Sequence, residues 1–162
     1  MTTGPIPLIV RRMIAAPRDR IFDLFCSADA LSKWFTPSTE IALQVVAFDF
    51  SVGGRFRFRY ILPDGSKPVV SGVYQQIEAP DLITCSWVWE APDPLAGIPM
   101  RVCFEFFANS GETEVVITHH GIPSDQACSI HEDGWEGALN GLQRFAGTTD
   151  WKECHDERDA EA

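Results

Sequence analysis

The amino-acid sequence predicts an α+β domain that combines one antiparallel sheet with a long C-terminal helix. Two observations carry this prediction: apolar and polar residues alternate through the middle of the chain, and apolar residues recur at helical spacing near its end. One strand and two short helices precede the alternating region, so the predicted order is β, α, α, six strands, α. The 162 residues fit one domain. We predict it over residues 1–147, with an acidic, frayed tail over residues 148–162.

The beginning of the chain predicts the first strand and the two short helices. Residues 6–14 alternate as a strand does, and Pro17 then suits the first turn of a helix. Apolar residues at helical spacing follow. Asp29 is a candidate cap for a second short helix, which ends before Pro37.

The alternating region predicts six further strands separated by turn residues. Its clearest strand spans residues 54–61, where Phe56, Phe58 and Tyr60 face one side and three arginines face the other. Later strands are predicted near residues 69–77, 83–89, 101–107 and 113–119, and a proline-rich loop spans residues 91–99.

The pattern returns to helix from Ser124 onward, with a strongly apolar face. That face consists of Trp135, Ala138, Leu139, Leu142 and Phe145. Gly137 and Gly141 each cost about 1 kcal/mol of helix propensity relative to alanine. They therefore need a compensating reason, either close approach of the helix backbone to the sheet or room for a ligand.

Composition excludes several classes of function. The formal net charge of −10 disfavours nucleic acid as a partner. The apolar runs are too short for a membrane-spanning helix and no secretory signal is apparent, so we expect a cytoplasmic protein without membrane insertion. Five cysteines at irregular spacing predict free thiols, and the sequence predicts neither a metal site nor a cofactor.

Several segments at the joints of this order resemble one family. They are residues 12–17 (RMIAAP), 34–37 (WFTP), 49–54 (DFSVGG), 72–74 (GVY), 87–89 (WVW) and 118–123 (THHGIP), followed by Gly134 and Trp135. In this order they resemble the START-like (SRPBCC) superfamily, and most closely the branch named after the activator of the heat-shock-protein-90 ATPase. The resemblance implies a helix-grip fold, in which a curved sheet surrounds the last helix over an internal cavity.

Aromatic residues predict the lining of that cavity, because binding cavities have apolar walls with few polar groups. His119 is the best polar candidate, since it shares a strand face with apolar residues and titrates near neutral pH. A metal site formed by His119, His131 and Cys128 can be imagined, but the spacing of these residues in the sequence does not require one. The predicted ligand-binding residues are Trp34, Phe56, Phe58, Tyr60, Tyr74, Trp87, Trp89, Phe104, Phe106, His119, Trp135, Leu139 and Leu142.

Three hypotheses for function follow, and the fold alone does not choose between them. The favoured one is binding of a hydrophobic or aromatic small molecule by a monomer or homodimer, with entry between the proline-rich loop and the last helix. A second is a co-chaperone-like domain whose partner is a chaperone ATPase. A third is a cyclase or dehydratase type of enzyme in which His119, with Tyr60 or Tyr74, moves a proton.

Overall fold

The structure is a computed structural model that describes residues 6–147. The predicted acidic tail over residues 148–162 lies outside the described residues, and so do the first five residues. Within the described part, the order of elements is the predicted one.

Seven strands and three helices make up the described chain. The strands are β1 (Leu8–Ile14), β2 (Ala42–Phe48), β3 (Arg55–Ile61), β4 (Val69–Glu78), β5 (Leu82–Trp89), β6 (Met100–Asn109) and β7 (Glu112–His120). The helices are α1 (Arg18–Asp23), α2 (Ala28–Trp34) and α3 (Asp125–Ala146). Across residues 6–147, no helix has the length and apolar character that a bilayer crossing requires.

All seven strands form one antiparallel sheet in the order β1, β7, β6, β5, β4, β3, β2. Except for β1, each strand pairs with its neighbours along the chain, as expected of an antiparallel meander. The first strand closes the far edge by pairing with β7, where Val10 lies opposite Ile117. The predicted alternation in β3 is confirmed, because Phe56, Phe58 and Tyr60 are buried.

Serine side chains cap both α2 and α3. Ser124 is the N-cap of α3, where its side chain accepts a hydrogen bond from the amide of Ala127 at 3.1 Å. The cap predicted for α2 was wrong: Ser27, not Asp29, accepts the hydrogen bond from Ala30 at 3.2 Å. Both residue types cap helices, and the helix begins one residue before Asp29.

Helix α3 lies on the buried side of the sheet, and α2 lies close against it. A Cβ atom at Gly137 would overlap the carbonyl oxygen of Pro37, and one at Gly141 would overlap that of Trp34. The glycines therefore permit close backbone approach. The neighbour is the C-terminal end of α2 and the residues after it, rather than the sheet.

One end of the sheet is left open by this packing. Strands β3, β5 and β7 end there, β4 and β6 begin there, and α3 starts nearby. The hairpin connections after β4 and β6 lie at the opposite end. The open end is where the loop over residues 90–99 joins β5 to β6.

Candidate functional site

A cavity of about 580 Å³ lies at the open end of the sheet. Its wall combines the ends of strands, the N-terminal half of α3, the residues after α2 and the loop between β5 and β6. The lining residues are Phe35, Thr36, Pro37, Ile41, Tyr60, Leu62, Pro68, Trp87, Trp89, Asp93, Pro94, Leu95, Ser124, Gln126, Ala127, Ile130, His131, Asp133, Gly134, Trp135 and Ala138.

Small residues on α3 make room for the cavity. Ala127, Gly134 and Ala138 all lie in the wall, at spacings that place them on one face of the helix. A Cβ atom built at Gly134 would meet nothing within 4 Å. This glycine therefore faces open space, unlike Gly137, which faces the backbone of Pro37.

His131 and Trp89 join α3 to the end of β5 in the cavity wall. The indole Nε1 of Trp89 donates a hydrogen bond to Nε2 of His131 at 3.1 Å. Nδ1 of His131 lies 2.8 Å from the carbonyl oxygen of Ala127, to which it donates in the neutral form of the ring. Burial lowers the pKa of His131, while the bond to Ala127 and the nearby Asp93 carboxylate oppose this shift.

His119 lies behind the cavity wall. It is fully buried, and its Nδ1 accepts a hydrogen bond from Nε1 of Trp135 at 3.0 Å. Burial lowers the pKa of His119 to about 3, with smaller contributions from His131 and His120. The ring is therefore neutral at pH 7, with its proton on Nε2, and this nitrogen is sealed without a hydrogen-bond partner among the described residues.

Tyr60 brings a hydroxyl group to the cavity wall. The residue is 6% exposed, and burial raises its pKa far above the usual range. Within residues 6–147 the hydroxyl makes no hydrogen bond. Two other polar atoms, Trp87 Nε1 and His119 Nε2, also lack a partner there and are completely buried, whereas the Tyr60 hydroxyl is not. A molecule in the cavity can therefore provide the hydrogen bond that the protein does not.

The mouth of the cavity carries both acidic and apolar side chains. Asp93 lies in the loop after β5, where its Oδ1 accepts a hydrogen bond from the amide of Leu95 at 2.8 Å. Asp133 lies on α3 and is exposed. Ile130, one turn earlier on the helix, is 61% exposed although it is a large apolar residue. An exposed apolar side chain at such a rim is typical of an entrance.

The structure places only some of the predicted ligand-binding residues in the cavity wall. Those in the wall are Tyr60, Trp87, Trp89 and Trp135. The others lie in the packed interior outside it: Trp34, Phe56, Phe58, Tyr74, Phe104, Phe106, His119, Leu139 and Leu142. Behind the wall, the space bounded by Phe56, Phe58, Tyr74 and Phe104 amounts to only about 20 Å³, room for a single water molecule.

Residues missed by the sequence analysis complete the wall. Phe35 packs its ring edge-on against Phe58 and at a tilt against Trp135, with centroids 5.7 and 5.8 Å apart. The best available signal was on α3, where small residues alternate with His131 and Trp135 at helical spacing. Residues on connections, such as Ile41 and Pro68, carried no signal. Among residues 6–147, no group of three or more metal-ligating side chains comes together.

Comparison with known proteins supports the same fold. The family model described as Activator of Hsp90 ATPase homolog 1-like protein matches residues 15–147. A crystal structure from Chromobacterium violaceum matches with a TM-score of 0.75 and 20% identity, covering 87% of this chain and 97% of that chain. The AHSA1 protein from Silicibacter pomeroyi matches with a TM-score of 0.75 and 21% identity, over 85% and 95% of the two chains.

A solution structure from Arthrobacter aurescens matches with a TM-score of 0.78 and 16% identity, over 87% of this chain and 86% of that chain. At such identities, structural likeness shows the fold alone. It confirms the helix-grip fold that the family resemblance implies. None of the curated proteins compared with the chain matches it.

Proposed function

The chain belongs to the Activator of Hsp90 ATPase homolog 1-like family, and we propose that within this fold its cavity binds a hydrophobic or aromatic small molecule. The observation that carries the proposal is the space of about 580 Å³ enclosed by a wall in which aromatic and aliphatic residues predominate. Ligand cavities in proteins commonly measure about 300–1,000 Å³ and are mainly apolar.

The contrast with the rest of the interior strengthens this proposal. Behind Phe35 and Trp87, aromatic rings fill the space almost completely. At the open end, small residues on α3 leave a space between aromatic side chains that no other side chain fills. Burying apolar ligand surface contributes roughly 25 cal/mol per Å², and micromolar affinity needs about 8 kcal/mol. A two-ring aromatic molecule is of suitable size for this site.

The geometry argues against His119 as a proton-transferring group for a molecule in the cavity. Its Nδ1 is occupied by the hydrogen bond from Trp135, and its Nε2 is sealed. A general acid or base must lie within hydrogen-bonding reach of the reacting atom. We therefore favour binding over the enzymatic alternative.

The substitution Gly134→Leu, which places a large side chain in the cavity, tests the proposal. Naphthylmethanol is a suitable neutral probe, and its binding can be measured by calorimetry and by the melting temperature. A ligand at one hundred times its dissociation constant adds about 2.7 kcal/mol of stability, which corresponds to a rise of roughly 5 °C or more for a domain of this size. We expect this rise in the wild-type protein and its loss in Gly134→Leu.

Gly134→Ala is the matched control, because it alters the same position and leaves most of the cavity open. It should bind the probe as the wild type does. Native mass spectrometry of the purified protein would also detect a retained small molecule and give the subunit count. If neither naphthylmethanol nor a wider panel of apolar compounds raises the melting temperature, and no adduct is retained, the proposal fails.

A second candidate function is engagement of a chaperone ATPase, which the family description suggests. Met13 on β1 and Phe107 on β6 both lie opposite Glu114 and so emerge on one face of the sheet, where both are exposed. Ile9 is exposed on the same face. Stimulation of a chaperone ATPase that survives Gly134→Leu but not Met13→Ser with Phe107→Ser would support this role. No stimulation by the wild type would exclude it.

A further inference from the structure

The charged side chains in the cavity wall all have the same sign. Among the described residues that line it, Asp93 and Asp133 are acidic, and there is no lysine or arginine. The carboxylate of Asp93 is held in place by the amide of Leu95. Lys67 precedes Pro68 in the chain but is not part of the wall. An anionic group at the mouth would therefore meet two like charges without a basic partner.

The aromatic rings of the cavity wall add a second attraction for positive charge. Trp87 and Trp89 are perpendicular, with centroids 6.1 Å apart, and Tyr60 lies 6.3 Å from Trp89 at an interplanar angle of 46°. All three residues line the cavity, and aromatic rings attract organic cations. The bond from Trp89 to His131 fixes the orientation of this indole.

Tyr60 supplies an independent indication of a polar ligand group. The residue lines the cavity, and its hydroxyl, which is not fully buried, makes no hydrogen bond within residues 6–147. A phenolic hydroxyl both donates and accepts, so it is suited to an N–H or hydroxyl group of the ligand. A purely hydrocarbon ligand would leave this hydroxyl without a partner, at a cost in binding.

We propose that the cavity selects a protonated amine with an apolar or aromatic body, and discriminates against carboxylates such as fatty acids. The body lies between Phe35, Trp135 and Ala138, and the ammonium group lies at the mouth near Asp93 and Asp133. This inference rests on the proposed binding function and specifies the ligand's chemical class.

Three probes with one ring system and different head groups test the inference: naphthylmethylamine, naphthylmethanol and naphthoate. At neutral pH these carry a positive charge, no charge and a negative charge. We expect the amine to bind about tenfold more tightly than the alcohol, and the carboxylate about tenfold more weakly. Calorimetry at low and at moderate salt measures both ratios, and added salt should reduce them.

Asp93→Asn with Asp133→Asn removes both charges, and the asparagine oxygen at position 93 can still accept from Leu95. In this variant the three affinities should fall within about threefold of one another. Glu78→Gln with Glu112→Gln is the control, because it makes the same change in net charge at the opposite end of the sheet. The control should keep the wild-type ratios.

The outcomes separate this inference from the proposed function. If naphthylmethanol binds but naphthoate binds as tightly as the amine, the charge selection is wrong and the binding function stands. Unchanged affinity ratios in the double asparagine variant would also contradict the charge selection and leave the binding function standing. If none of the three probes binds, no compound of the wider apolar panel binds and no adduct is retained, both proposals are overturned.

Discussion

The indole Nε1 of Trp135 donates a hydrogen bond of 3.0 Å to Nδ1 of His119, and this contact joins α3 to the end of β7. The acceptor role of Nδ1 requires that His119 be neutral, with its proton on Nε2. Trp135 faces the cavity, whereas His119 lies behind it. The bond therefore sets the position of a wall residue from the core side.

Acid should weaken the fold through His119. Burial lowers its pKa in the folded state to about 3, from a usual value near 6.5. The unfolded chain therefore binds the proton first, so stability is fully present above about pH 6.5 and is lost as the pH falls toward 3. The loss is about 1.4 kcal/mol per pH unit in this interval. Urea unfolding at pH 7.5, 5.5 and 4.5 measures it.

His119→Gln is the control for this pH dependence, since the glutamine oxygen can accept from Trp135 and does not titrate. His131, whose pKa is also lowered by burial, continues to contribute in the same direction. The variant should therefore keep a shallower slope of unfolding free energy against pH. Equal slopes in the two proteins would show that His119 is not the group responsible.

The glycines of α3 should respond oppositely to alanine. Gly134→Ala places a methyl group in open space and should stabilise the protein by up to about 1 kcal/mol through helix propensity. Gly137→Ala drives a methyl group into the carbonyl of Pro37 and should destabilise the protein by about 1–3 kcal/mol. Unfolding free energies in urea test the pair, and equal effects at the two sites would contradict it.

The sequence predicted β3 because alternation is a local property. All the aromatic residues of that strand are buried on one face. The alternation therefore did not show that Tyr60 and Phe56 have different surroundings. Phe56 lies beside the packed rings behind the wall, whereas Tyr60 lies at the open end. That difference depends on where α2 and α3 cross the sheet, which is set by long-range packing.

The apolar face predicted for the last helix is buried, but only part of it lines the cavity. Trp135 and Ala138 line the cavity, but Leu139 and Leu142 are fully buried outside it. Apolar periodicity identifies the side of a helix that is buried. It does not say which part of that side meets a neighbouring element and which part meets a cavity. The small residues Ala127 and Gly134 carried that information.

Replacing Tyr60 by phenylalanine should separate binding from stability. Its hydroxyl makes no hydrogen bond to the described residues, so its removal costs none, and the unfolding free energy should stay within about 0.5 kcal/mol. Affinity for naphthylmethylamine should fall about fivefold, as for the loss of one hydrogen bond. Calorimetry and urea unfolding on the same preparation measure both. A large loss of stability with unchanged affinity would mean that the hydroxyl has a structural partner.

Capping of α3 should affect both stability and the site, because Ser124 and Ala127 are wall residues and also form the cap. Ser124→Ala removes the side-chain acceptor and should cost about 1 kcal/mol of unfolding free energy. Fraying of the first turn should increase hydrogen exchange at Ala127 and weaken naphthylmethanol binding severalfold. Ser124→Asp restores the cap and should recover both properties.

The aspartate variant also bears on charge selection at the mouth. A carboxylate at position 124 interacts favourably with the positive end of the helix dipole and adds a third negative group to the wall. Naphthylmethylamine should then bind more tightly than to the wild type, while naphthylmethanol returns only to the wild-type affinity.

If Ser124→Ala unfolds at the same urea concentration as the wild type, the hydrogen bond to Ala127 does not stabilise this end of the helix. In that case the cap does not position the cavity wall.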